Sequence, residues 1–202
     1  MKKVLVAYAT VSGSTTEVAR AVAEALTEMG LTAEVLPLSA IATLKGYDAV
    51  VVGAPMILGW HRGALRFLRT HRAELQRLPF AVFVMAMSLT RTGEADRSDI
   101  PIRVDPHLGK PPARDGHLTL RERYATVGNY ARPILRAARP ARPFSLAFFA
   151  GRLDYGRLKW WAVLFAMVLV RAQAGDRRDF SAIRAWAEGI AQTFLSDAAA
   201  PA

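Results

Sequence analysis

Residues Val4 to Tyr8 form a short apolar run that breaks directly into Thr10, Val11, Ser12, Gly13, Ser14 and Thr15 and then into a helical pattern. The run from Lys3 is β-branched and aromatic and too brief for a helix, so it reads as a buried strand of a parallel sheet. The segment after it is polar and turn-forming. Gly13 permits a tight backbone path, while Thr10, Ser12, Ser14 and Thr15 set hydroxyls beside the unpaired amides of a starting helix. This order of elements has two readings. In one the loop cradles a phosphate monoester; in the other Thr and Ser simply cap the helix Thr15 to Met29, with Glu17 in its first turn. The loop has no lysine and no Gly-x-x-x-x-Gly-Lys pattern, which disfavours a nucleoside triphosphate, and no Gly-x-Gly-x-x-Gly, which disfavours a dinucleotide. Neutral hydroxyls suit a single terminal phosphate.

Further along, Thr32 to Leu36 alternates like a strand, and Asp48 to Val52 is a second buried one that runs into Gly53, Ala54 and Pro55. An apolar loop follows: Met56, Ile57, Leu58, Gly59, Trp60, His61. It falls at the carboxyl end of a strand, where open α/β sheets bind ligands. Pro79 ends the next helix, Phe80 to Met87 is apolar again, and its exit is Ser88, Leu89, Thr90. The spacing predicts a doubly wound α/β sheet with strands at 3–9, 32–37, 47–53, 80–87 and 144–150, in the order 2-1-3-4-5. A chain of 202 residues that is 52% hydrophobic can bury one substantial core, and no linker or repeat divides it. The expected domain is 1–196, with an insertion at about 89–142 and a disordered tail at 197–202.

The strand, Thr-x-Ser-Gly-x-Thr and helix resemble the flavin mononucleotide (FMN) phosphate loop of flavodoxins. That resemblance implies FMN as cofactor, with its phosphate in Thr10 to Thr15. The two loops flanking the isoalloxazine ring are then Ala54, Pro55, Met56, Ile57, Leu58, Gly59 and Trp60, and Ser88, Leu89 and Thr90. Three other stretches resemble, within that superfamily, the menaquinone-dependent protoporphyrinogen oxidase family of bacteria. They are Gly53 to His61 with Ala64, Phe67 and His71; Phe149 to Tyr155 with Leu158, Lys159 and Trp160; and Ala174 to Phe180 with Trp186. The family likeness implies protoporphyrinogen IX as electron donor and a membrane quinone as acceptor in haem synthesis. The insertion departs from the family, since Ile100 to Leu118 is rich in proline and glycine and has no counterpart there. Such composition and length mark segment 91–118 as a mobile loop that closes over substrate or orders on a membrane.

The net charge of +10 and pI near 10.6 set the chain apart from acidic shuttle flavodoxins. Segment 60–79 holds five arginines against one glutamate, and segment 88–142 eleven basic residues against six acids. Either these surfaces attract anions, such as porphyrinogen propionates, lipid head groups or nucleic acid, or the arginines reflect genome composition. The basic segments lack the interleaved aromatics of nucleic-acid platforms, which disfavours that partner. Leu158 to Val170 is apolar nearly all round, and its uninterrupted part, Trp160 to Val170, is far short of the ~20 residues that span a bilayer. Segment 157–171, with basic residues at both ends, is either an interfacial helix or the helix after strand five, packed on the sheet. One side can pack while the other meets lipid or a partner subunit, a second copy included. The chain has no cysteine, so thiol chemistry and disulfides are excluded. Met1, Lys2 and Lys3 precede a strand rather than a signal peptide. A cytoplasmic protein, peripheral on the inner membrane face if 157–171 meets lipid, is the reading.

Other polar residues lie near the expected site. The histidines at 61, 71, 107 and 117 show no metal spacing. His61, beside the first flavin loop, either hydrogen-bonds flavin or substrate or sits at a solvated helix start. Asp154 and Tyr155, just beyond strand five, either face substrate or form a turn and a packing aromatic. The loop around Ser12 and Ser14 lacks a nucleophile elbow, so no serine triad is expected.

Overall fold

Two buried clusters follow from the period of two along the strands, which sends alternate side chains to opposite faces of one sheet. The computed structural model describes residues 1–57, 59–93, 95, 98–114, 117–153 and 175–196. The strands are β1 (Lys3–Tyr8), β2 (Thr32–Pro37), β3 (Ala49–Pro55), β4 (Phe80–Ala86), β5 (Leu89–Thr90), β6 (Ile102–Val104), β7 (Gly109–Lys110), β8 (Ser145–Ala150), β9 (Arg152–Leu153) and β10 (Gly175–Asp176). The helices are α1 (Ser14–Glu28), α2 (Arg62–Thr70), α3 (Arg72–Leu75), α4 (Leu120–Tyr124), α5 (Val127–Ala138) and α6 (Phe180–Leu195).

The main sheet has the order β2-β1-β3-β4-β8-β6, every pair parallel. Leu5, Val52, Val84 and Phe148 face a layer formed by α2 and α5. Val6, Val51, Phe83 and Phe149 face α1 and α6. On that second face Trp186 of α6 packs edge-on against Phe83 and Phe149, at 6.2 and 5.7 Å between ring centroids. Its Nε1–H donates to Ser145 Oγ at 3.0 Å, so the indole is buried with its polar atom satisfied. Gly53 has a packing reason: a Cβ there would fall inside the ring of Phe83 on the neighbouring strand.

The doubly wound sheet expected from the sequence is present, and its first five strands lie in the expected order. The count needs correction, because there are six strands. Ile102–Val104, inside the segment read as a mobile loop, pairs with Leu146–Phe148 and covers what would have been an open edge. The pairing is reinforced by Asp105, which is fully buried and accepts from the amides of Ala150 at 3.0 Å and His107 at 2.8 Å. A smaller pair, β5 with β7, ties the start of the insertion to its middle. Among the described residues no helix is long and apolar enough to cross a membrane. Segment 157–171 and the tail 197–202 lie outside the described residues.

Candidate functional site

The hydroxyl-rich loop leaves β1 at the carboxyl edge of the sheet, anchored by the Ala9 amide, which donates to Gly53 O at 2.9 Å. Thr10 Oγ1 closes the turn by accepting from the Gly13 amide at 2.9 Å. Gly13 is the N-cap of α1 with φ of 88°, a left-handed conformation that a side chain would strain, and no side chain caps the first turn. The reading in which Thr and Ser cap the helix is therefore not what forms. Thr15 is 1% exposed, and its Oγ1 has no hydrogen-bond partner among the described residues. A buried hydroxyl left unpaired costs about 1–3 kcal/mol, so its retention beside a helix N-terminus calls for an external acceptor. A phosphate oxygen meets that need, and the loop fits the phosphate of FMN.

A residue of the family-like stretch Ala174 to Phe180, given no site role from the sequence, holds this loop in place. Arg178, with 3% of its side chain exposed, reaches across from the start of α6. Its Nη1 donates to Ser14 O at 3.3 Å and pairs with Glu17 at 2.8 Å, while Nε and Nη2 grip both oxygens of Asp176 at 2.8 and 2.6 Å. The guanidinium hydrogen bonds hold the Asp176 carboxyl below its ordinary value, and the same bonds raise Arg178. Glu17 would otherwise set an uncompensated negative charge in the first turn, where a phosphate would be repelled. Arg178 stands 164 residues from Ser14, and no local motif marks such a pairing.

The first flanking loop is tightly folded. The Ile57 amide donates to Gly59 O at 2.9 Å, with Gly59 at φ of 116°, and Met56 bridges back to Trp60. Ala54 and Pro55 end β3 and are buried, as are Met56 and Trp60. Trp60 is turned into the core, its Nε1–H donating to Ala54 O at 3.2 Å, so among the described residues of the loop the exposed apolar side chain is Ile57, 47% open. Leu58 lies outside the described residues. His61 is the N-cap of α2, and its Nδ1 accepts from the Gly63 amide at 3.2 Å. Burial lowers its pKa, which keeps the ring in the neutral form that can accept.

The second flanking loop is braced from below. Leu89 and Thr90 are buried in β5, with the Thr90 amide donating to Ala125 O at 2.6 Å, and Ser88 stays half-open. The Tyr130 hydroxyl donates to Ser88 O at 3.3 Å, and burial pushes this phenol up to about 12. Asp154 and Tyr155 lie outside the described residues. The remaining histidines are spread over the fold: His71 is buried and bonds Glu74 at 2.6 Å, His117 lies in the insertion, and His107 sits at the edge of β6. There Asp105, His107 and Asp179 bring one ligand atom each within 4.8 Å, an assembly that residues 2 and 72 positions apart do not announce. The carboxylates are already engaged by backbone amides, Asp179 as the N-cap of α6 accepting from Ser181 and Ala182 at 3.0 Å.

The sequence model of the flavodoxin domain family matches residues 5–179. Protoporphyrinogen IX dehydrogenase (quinone) of Escherichia coli strain K12 is 24% identical over 177 residues, covering 86% of this chain and 82% of that one. Among solved structures, the rubredoxin oxygen:oxidoreductase of Desulfovibrio gigas superposes with a TM-score of 0.54 at 14% identity. It covers 99% of this chain, which spans only 38% of that protein. A flavodoxin from the domain Archaea gives a TM-score of 0.52 at 12% identity over 97% of this chain and 100% of its own. At those identities the structural likeness speaks for the fold alone.

Proposed function

The chain belongs to the flavodoxin domain family, and from that footing we propose that it is an FMN-dependent oxidoreductase passing electrons from protoporphyrinogen IX to a quinone. The buried, partnerless Thr15 hydroxyl at an uncapped helix start carries the cofactor assignment. Thr10 to Thr15 hold the phosphate, Arg178 keeps their geometry, and the loops after β3 and β4 flank the ring. FMN, when bound, supplies the redox chemistry, accepting electrons as hydride or singly. Converting protoporphyrinogen IX to protoporphyrin IX removes six electrons and six protons, which three quinones take up as three quinols. The donor and acceptor are supported by the E. coli relative, at 24% identity.

The substrate class has a second support in charge. Arg62, Arg66 and Arg69 recur at helical spacing on α2, all are exposed, and among the described residues none forms an ion pair. This stripe starts directly after the first flanking loop, where it would meet the propionates of a porphyrinogen. The same stripe favours a second reading, in which the chain is an electron carrier docking an acidic partner protein. Anaerobic addition of protoporphyrinogen IX to the flavin-loaded protein separates the two. Loss of the oxidised flavin absorption, with its return on adding a quinone, is the expected result. A flavin indifferent to the porphyrinogen but reduced by an acidic partner, in a salt-sensitive way, supports the carrier instead.

A further inference from the structure

The outer side of the α2 and α5 layer carries a basic face wider than the stripe on α2. Arg62, Arg66 and Arg69 of α2 lie opposite the buried Ala64, Phe67 and Leu68, and Arg132 and Arg136 of α5 lie opposite the buried Tyr130, Ala131 and Ile134. Arg139 extends the row just past the end of α5. The two helices pack side by side, so these guanidinium groups share one face. All are exposed, and among the described residues none has an ion-pair or hydrogen-bond partner. Segment 62–78 contains one acid, Glu74, whose oxygens are taken by Thr43, Leu44 and His71, and segment 127–139 contains none. The opposite layer differs. There α1 and α6 hold the acids Glu17, Glu24, Glu28 and Glu188 against Arg20 and Arg184, and Arg184 is paired with Glu24 and Glu28. Arginine richness that reflected genome composition alone would favour neither layer, so the asymmetry decides between the two readings of the net charge of +10.

We propose that this face docks on an anionic phospholipid bilayer. A porphyrinogen brings a pair of propionates, and unpaired cations spread over two helices exceed what one such substrate can occupy. The nine residues of α2 make it about 13 Å long, and a helix packed beside it lies roughly 8–10 Å away, so the charges form a broad patch rather than a pocket. A bilayer offers many phosphates in one plane, and each guanidinium fork can grip two phosphate oxygens. A single-stranded nucleic acid would call for stacking rings, and the aromatic side chains of α2 and α5, Phe67 and Tyr130, are both buried. Because α2 starts directly after the loop Ala54 to Trp60, docking by this face holds that loop beside the membrane surface. The face is distinct from segment 157–171, and the case for it uses charge and burial alone, so it stands whether or not the protoporphyrinogen reading does.

The test is sedimentation of the purified chain with lipid vesicles. Binding to phosphatidylcholine vesicles that contain about 30% phosphatidylglycerol, none to phosphatidylcholine alone, and release at about 0.5 M salt are expected. Each basic residue at an anionic leaflet strengthens partitioning about fivefold, so Arg136→Gln should weaken binding about fivefold and Arg132→Gln with Arg136→Gln about 25-fold. Arg132→Lys with Arg136→Lys, which keeps the charge, should retain most of it. Arg20→Gln removes the same charge from the exposed side of α1 and should change binding less than about twofold. All these positions are exposed, so the melting temperature should stay the same and separates lost docking from lost folding. Absence of vesicle binding, equal binding to phosphatidylcholine alone, or equal losses from Arg20→Gln and Arg136→Gln would overturn the proposal. So would release from the vesicles by duplex DNA at equal phosphate concentration, which would give the face to nucleic acid. Neither flavin nor porphyrinogen is present, so docking and the functional reading can fail separately.

Discussion

Thr15 and Arg178 do opposite things at the same loop. The Thr15 hydroxyl is buried without a partner among the described residues, and under the proposed function it donates to a phosphate oxygen. Thr15→Val is therefore expected to weaken FMN binding about tenfold while leaving the melting temperature of the flavin-free protein unchanged or raised. Flavin fluorescence titration and thermal unfolding check the two halves of that statement. Arg178 acts without touching the ligand. Arg178→Met should cost about 1–3 kcal/mol of stability and weaken FMN, because Glu17 and Asp176 lose their shared cation. Arg178→Lys should not rescue it, since an ammonium cannot grip both oxygens of Asp176 and still reach Ser14. The pH dependence follows from the lowered Asp176 carboxyl. Its contribution is present above the ordinary value of 3.8 and is lost as pH falls through the depressed one, so acid unfolding of Arg178→Met should lack that part of the limb. Thr15 lies in the hydroxyl loop that the sequence marks after Gly13. Arg178 lies in the family-like stretch Ala174 to Phe180, but its pairing with that loop is not marked, because a contact between the first helix and the segment before the last leaves no local pattern.

At the level of elements, the strands with long apolar runs announced themselves, whereas β6 did not. Ile102, Arg103 and Val104 are three residues between Pro101 and Asp105, too few to show a period. The edge strand is stable because Asp105 accepts from the amides of Ala150 and His107. Asp105→Ala is expected to cost about 1–3 kcal/mol and to raise amide exchange selectively at Leu146 and Phe148, whose strand β6 covers. The central strands tolerate no such loosening. Gly53→Ala drives a methyl into Phe83 and should destabilise by about 1–3 kcal/mol or prevent folding, measured by denaturant unfolding. The start of α2 carries its own pH sensitivity. Neutral His61 accepts from Gly63, and burial lowers its pKa, so the cap is intact above about 6.5 and is lost as pH falls through the depressed value. His61→Ala should remove that dependence and cost about 0.5–2 kcal/mol. The alternation of two readings for His61, ligand or helix start, could not be resolved without this geometry.

Over the whole molecule, the order of the first five strands was readable because apolar runs, turn residues and helices alternate at regular spacing, and the hydroxyl loop and the loops after β3 and β4 fall at the carboxyl edge of that sheet. The burial of Trp60 was not, since its indole is satisfied by a carbonyl six residues back and faces the core rather than a ring. Charge was legible as a number, and the fold turns it into a place, by aligning Arg62, Arg66 and Arg69 on one exposed face. Replacing all three by glutamine should leave FMN binding intact and weaken any carboxylate-bearing substrate, with a flatter dependence on ionic strength. The most direct measurement compares FMN with riboflavin, the same ring without a phosphate, in fluorescence titrations of the purified chain. The expected result is one FMN bound per chain, at least about 100-fold more tightly than riboflavin, with inorganic phosphate competing. Equal affinity for the two flavins, or no binding of either, would contradict a phosphate site at Thr10 to Thr15 and the oxidoreductase built on it.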